Sequence, residues 1–112
     1  MSRAQPWVAA ALLALSCAPA ATVRPGGQEA PCVFHVHSSA QAVLLSGTMT
    51  DWRSVPLVRR GRDFELSLQL PPGRYEYRLE EQTAAGPRAV VPPGAERAAD
   101  GFGGENLMLR VR

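Results

Sequence analysis

Few side chains in this 112-residue sequence are of the types that do chemistry, and their spacing limits what they could do. His35 and His37 stand two apart, so on a strand both would project from one face and could reach one metal ion. The sequence offers no obvious third ligand beside them, and they read as two solvated strand histidines with no metal site. Asp51 and the pair Glu80-Glu81 supply carboxylates. A general acid and base, however, need a desolvated pocket to separate their pKa values, and a chain this short encloses little space. Gly101-Phe102-Gly103-Gly104 is rich in glycine but lacks the Lys and the following helix of a phosphate cradle, so it reads as a turn. These readings point to a binding protein rather than an enzyme, without a cofactor.

Charge and composition narrow the partners. Twelve basic residues, all Arg, face ten acidic ones for a formal charge of +2, and the two signs are interspersed. No basic stripe matches a phosphate backbone, which argues against nucleic acid. Met1-Ser2-Arg3 carries one positive charge and precedes an apolar run from Trp7 to Leu15, about half of what a bilayer span requires. That pattern is a signal peptide. Leu13-Ala14-Leu15-Ser16-Cys17 resembles a bacterial lipobox that ends a signal peptide of residues 1–17 and makes Cys17 the lipidated residue. Ala18-Pro19-Ala20 fits the small-x-small site of ordinary signal peptidase, with cleavage near Ala20. The protein is therefore expected to be exported: either lipid-anchored in the bacterial envelope, at the outer membrane or periplasmic face, or secreted. The membrane is touched only through Cys17. Cys32 is expected to be a buried small hydrophobe rather than part of a disulfide framework.

Periodicity predicts the elements that would hold a site. Residues 18–31 are Ala, Pro, Gly and polar residues without an apolar period, which predicts an extended or flexible tether. From residue 32 the period becomes two: Phe34 and Val36 alternate with His35 and His37, and Val43 and Leu45 follow. Phe64, Leu66, Leu68 and Leu70 alternate with Glu65, Ser67 and Gln69 up to Pro71-Pro72-Gly73. Tyr75, Tyr77 and Leu79 then alternate with Arg74, Glu76, Arg78 and Glu80, and the two runs are expected to form a hairpin. A short strand near Arg88–Val91 and a last one carrying Leu107, Leu109 and Val111 complete the pattern. Half-apolar strands between Pro- and Gly-rich turns, with no helix, predict an all-β, antiparallel two-sheet sandwich over residues 32–112.

One ordered set of residues carries a resemblance. Val43-Leu44-Leu45-Ser46-Gly47-Thr48-Met49-Thr50-Asp51-Trp52, then Pro56-Leu57, Phe64 and Leu70-Pro71-Pro72-Gly73-Arg74-Tyr75-Glu76-Tyr77-Arg78 lead to Phe102-Gly103-Gly104-Glu105-Asn106-Leu107. This order resembles the carbohydrate-binding early-set module, the glycogen-binding domain of AMP-activated protein kinase β-subunits and of glucan-branching and isoamylase-type enzymes. The resemblance implies an immunoglobulin-like sandwich and non-catalytic binding of an α-1,4-linked glucan. It implies that Trp52 stacks on a glucose ring, that Arg78 and Asn106 bond hydroxyls, and that Phe102 packs on the sugar chain. A glucose unit presents an apolar C–H face to an aromatic plane and a hydroxyl rim to directional donors and acceptors, which suits these residue types.

Three positions depart from the family. Gln82-Thr83-Ala84-Ala85-Gly86-Pro87 has no aromatic where a second stacking Trp is expected, Gly104 replaces a hydroxyl residue, and Met49-Thr50 stands where Phe-Asn is common. A single stacked ring implies affinity of about 1 mM, near 4 kcal/mol. The alternative is a protein-interaction module of the cell envelope with the same fold, an envelope protein as partner and no sugar affinity. Exposure of Trp52 beside Arg78 and Asn106 favours the sugar; Trp52 packed inside favours the alternative.

Overall fold

The computed structural model describes residues 20–27 and 30–112. The signal peptide, its two processing sites and Cys17 lie outside the described residues. Among the described residues ten strands follow in chain order: β1 (Ala21–Arg24), β2 (Cys32–His37), β3 (Ala42–Gly47), β4 (Val55–Pro56), β5 (Val58–Arg60), β6 (Asp63–Leu68), β7 (Gly73–Thr83), β8 (Gly86–Val90), β9 (Glu96–Ala99) and β10 (Glu105–Val111). A 3-10 turn, Thr48–Thr50, lies between β3 and β4.

The strands form two antiparallel sheets. One has four strands in the order β1-β2-β6-β5; the other has six, ordered β4-β3-β7-β10-β9 with β8 also paired to β7. Alternation explains why the sheets meet. Cys32, Phe34 and Val36 of β2 and Phe64 of β6 turn inward from one sheet, and Val43, Leu45, Tyr77, Leu79, Leu107, Leu109 and Val111 turn inward from the other, all in one core. Phe34 and Tyr77 touch edge to face across it, with ring centroids 5.5 Å apart and planes at 73°. Burying each such side chain contributes about 1.5–3 kcal/mol, and burial pushes the Tyr77 hydroxyl pKa up to about 12. Cys32 is 1% exposed and its Sγ accepts a hydrogen bond from the Gly26 amide at 3.3 Å, in keeping with a buried small side chain.

Two expectations about elements are corrected. The runs ending and beginning at Pro71-Pro72-Gly73 do not pair with each other: β6 pairs with β2 and β5, whereas β7 pairs with β3, β10 and β8. The connection crosses from one layer to the other, a path suited to two prolines that donate no ladder hydrogen bond. Ala21–Arg24, read as part of a tether, is strand β1, which adds to β2 with Ala21 opposite Val36 and Val23 opposite Phe34. Its Ala21 and Val23 continue the inward row of β2, a period too short to stand out among Pro and Gly.

The six-stranded sheet supplies the platform for the candidate site. Strand β7 is long enough to be shared along one edge, pairing with β10 through Tyr77 and with β8 from Leu79. On its outer face Glu76 and Arg78 follow the strand period, opposite to the buried Tyr77 and Leu79.

Candidate functional site

Trp52 is carried by the segment that follows β3. Gly47 ends that strand against β7; an added Cβ there would stand 2.5 Å from the Glu76 carbonyl oxygen and 2.8 Å from Tyr77 Cβ, so only glycine permits the approach. The Thr50 hydroxyl closes the turn, accepting from the Gly47 amide at 3.1 Å and donating to the Arg53 carbonyl at 2.8 Å. The Trp52 amide donates to the Gly47 carbonyl at 2.8 Å. Asp51 and Trp52 both adopt left-handed backbone, with φ of 55° and 60°. Two successive non-glycine residues in this region cost on the order of 1 kcal/mol each, and the turn's bonds hold the indole in place against that cost. The result is a Trp that is 45% exposed.

A polar network lies beside it. Arg78 donates from Nε to Asn106 Oδ1 at 2.8 Å, and its guanidinium carbon lies 5.9 Å from the centroid of the Trp52 ring, a cation–π contact. Asn106 donates from Nδ2 to Glu76 Oε1 at 3.1 Å, and Glu76 also pairs with Arg74 at 3.5 Å. Both ends of the Asn106 amide are thus engaged, and the residue is 5% exposed, so in this arrangement it orients Arg78.

The loop between β9 and β10 forms the facing wall. Asp100 Oδ1 accepts from the amides of Phe102 at 2.7 Å and Gly104 at 3.0 Å, and its Oδ2 takes a bond from Arg78 Nη2 at 3.1 Å. The two amides, with Arg78 beside them, hold the Asp100 carboxyl below its ordinary pKa. Gly101 and Gly103 supply the left-handed backbone of this tight loop, with φ of 85° and 88°. Phe102 at its tip is 94% exposed.

Trp52, Arg78, Phe102 and Asn106, the four residues singled out from the sequence, line one open depression of about 400 Å³ together with Asp100. None of them lines the larger opening of about 560 Å³ between β1 and the 92–96 segment, whose polar groups include the Arg110–Glu96 pair at 3.1 Å. Sequence reasoning passed over Glu76 and Asp100. Glu76 stands two before Arg78 and so shares its strand face, while Asp100-Gly101 has the Asx-turn pattern of an acid that binds amides two residues on. His35 and His37 lie on the other sheet beside Asp63, and no group of three such side chains is arranged to hold a metal among the described residues.

Residues 30–81 match the family described as the glycogen recognition site of AMP-activated protein kinase. This chain resembles that glycogen-recognition module. Over 59 residues it is 31% identical to 5'-AMP-activated protein kinase subunit beta-2 of Mus musculus, covering 52% of this chain and 22% of that protein. Over 56 residues it is 33% identical to subunit beta-1 of Sus scrofa, covering 50% of this chain and 46% of that protein. The chain spans less than half the length of either relative. The glycogen-recognition match runs through Trp52 and Arg78 and stops inside β7, so Phe102, Asp100 and Asn106 join the site from beyond it.

Proposed function

We propose that this protein binds an α-1,4-linked glucan without catalysis, on the outer face of the six-stranded sheet of an immunoglobulin-like sandwich. The observation that carries this reading is an exposed aromatic face beside a charge-balanced polar network in one depression. Arg78 is matched by Asp100 and Arg74 by Glu76, so the site offers directional hydrogen bonds without a net charge. Such a surface suits a neutral polyhydroxylated ligand better than a phosphate or carboxylate. The family match over Trp52 and Arg78 points the same way.

The test is titration with maltoheptaose and soluble glycogen. Saturable binding near millimolar, weakened about tenfold by Trp52→Phe and absent with cellulose oligomers, supports the reading. No binding up to several millimolar and no retention on glycogen would turn the search to an envelope protein partner. For such a partner the 94% exposed Phe102 is an apolar anchor.

The sequence before Ala21 supports export, and lipid anchoring is proposed at Cys17. Metabolic labelling with a fatty acid should mark the expressed protein and fail to mark Cys17→Ser. The glucan met there would be external or periplasmic.

A further inference from the structure

We infer that Asp100 is the positioning residue of this site, one carboxylate that sets both of its walls. With Oδ2 it holds Arg78 over the Trp52 face, and with Oδ1 it shapes the loop that presents Phe102. The consequence for affinity rests on the glucan reading; the positioning itself is observable without any ligand.

The geometry carries this inference in three steps. Arg78 is a long side chain whose guanidinium would sample many orientations if left free, and here it is held at two points, Nε by Asn106 and Nη2 by Asp100. Among the described residues Nη1 has no protein partner, so an arginine that lines the depression keeps a free donor on a guanidinium already ordered before a ligand arrives. Pre-ordering spares the ligand the cost of freezing that side chain.

Second, Gly104 leaves room for the carboxylate. An added Cβ on Gly104 would stand 2.7 Å from Asp100 Oδ2, the oxygen that reaches Arg78. A bare position 104 is therefore what lets this carboxylate occupy the space beside Arg78. The departure noted at Gly104 and the presence of Asp100 are two sides of one arrangement. Third, the same carboxylate bonds the amides of Phe102 and Gly104, so the orientation of the loop and that of Arg78 are coupled through one rigid group.

Two substitutions break the Arg78 contact from opposite sides. Asp100→Asn keeps an oxygen for the two loop amides and removes the charge that holds Arg78. Gly104→Ala keeps the carboxylate and displaces Oδ2; Gly104 lies outside the left-handed region, so alanine is conformationally tolerated. The experiment uses the full chain with Trp7→Phe, which leaves Trp52 as the sole indole. Three quantities are measured: Trp52 emission with acrylamide quenching, the thermal midpoint as a folding control, and maltoheptaose affinity.

Asp100→Asn and Gly104→Ala are each expected to shift Trp52 emission toward that of Arg78→Ala and to weaken maltoheptaose about 5- to 10-fold. Asp100→Asn combined with Arg78→Ala should be no weaker than Arg78→Ala alone. Asp100→Asn with wild-type emission and affinity, while Asp100→Ala loses both, would overturn the inference by reducing Asp100 to a loop brace. Additive losses in the double variant would overturn it as well. If the wild type does not bind maltoheptaose the glucan reading falls, and the emission shifts alone then uphold or overturn the positioning of Arg78.

Discussion

The two outer faces of the molecule carry polar side chains at the same strand spacing and acquire different properties. On the four-stranded sheet, His35 and His37 alternate outward on β2 and meet Asp63 of β6, whose Oδ1 lies 2.8 Å from His37 Nδ1 and 3.6 Å from His35 Nε2. On the six-stranded sheet, Glu76 and Arg78 alternate outward on β7 and meet Asn106 of β10. On the first face the side chains of His35, His37 and Asp63 are 32%, 59% and 47% exposed; on the second, Arg78 is as open at 56%, but Glu76 is 24% exposed and Asn106 is buried beneath it. Strand periodicity aligns a row of polar groups on either face. The walls come from what folds over the row, and here only β7 and β10 gain the Trp52 turn on one side and the Asp100 loop on the other.

If the walls make the difference, removing one should act far more strongly than editing the open face. Gly47→Ala should have the largest effect, because its Cβ meets backbone and core atoms that cannot yield. A loss of about 1–3 kcal/mol in denaturant unfolding, together with loss of glycogen retention, is expected. An unchanged unfolding midpoint would show that the turn is not wedged against β7.

Arg78→Ala comes next. It should weaken maltoheptaose by about tenfold and cost about 1 kcal/mol of stability, since Asp100 and Asn106 lose a partner. His37→Ala, its counterpart on the other sheet, should leave affinity unchanged in the same titration. Equal losses from both would erase the distinction between the faces.

Phe102→Ala sharpens the comparison by separating stability from binding. At 94% exposure the ring contributes nothing to the core, so the unfolding free energy should stay within about 0.5 kcal/mol of wild type, with little change in the thermal midpoint, while affinity falls a few-fold. A drop in the midpoint would mean that the ring packs in solution.

The smallest effect is expected at Asp63. Its hydrogen bond from His37 lowers the carboxyl pKa from the ordinary 3.8, so the unfolded chain takes up this proton more readily than the folded one. The stabilisation is therefore present above that value and fades as pH falls below it. Asp63→Asn should be slightly less stable than wild type at neutral pH, the gap closing on acidification below pH 3.8, with no change in glucan affinity at any pH.

Much of this was legible in the residues, for reasons that differ by position. Phe34, Val43, Leu45, Tyr77, Leu79 and Leu109 declare themselves as core because alternation is a local property of a pleated strand, and all six are buried together. Trp52, Arg78, Phe102 and Asn106 could be picked out by their order along the chain, and they line one depression. Asp100 could not be weighed in the same way, because its importance depends on facing Arg78 from 22 residues away. Nor could the chain show that Asn106 bonds Glu76 and Arg78 with its amide.

The sequence by itself determined which residues point inward, where turns interrupt the strands and which aromatic could stay outside. Side-chain alternation, proline geometry and glycine freedom act within a few residues, so a linear reading captures them. Tertiary structure decided which strands pair, sending β6 and β7 to different sheets and recruiting Ala21–Arg24 to an edge. It also decided that one carboxylate on a loop holds the arginine of a strand. Those choices depend on register between distant segments and on the space left by a missing side chain at Gly104, which no local pattern encodes.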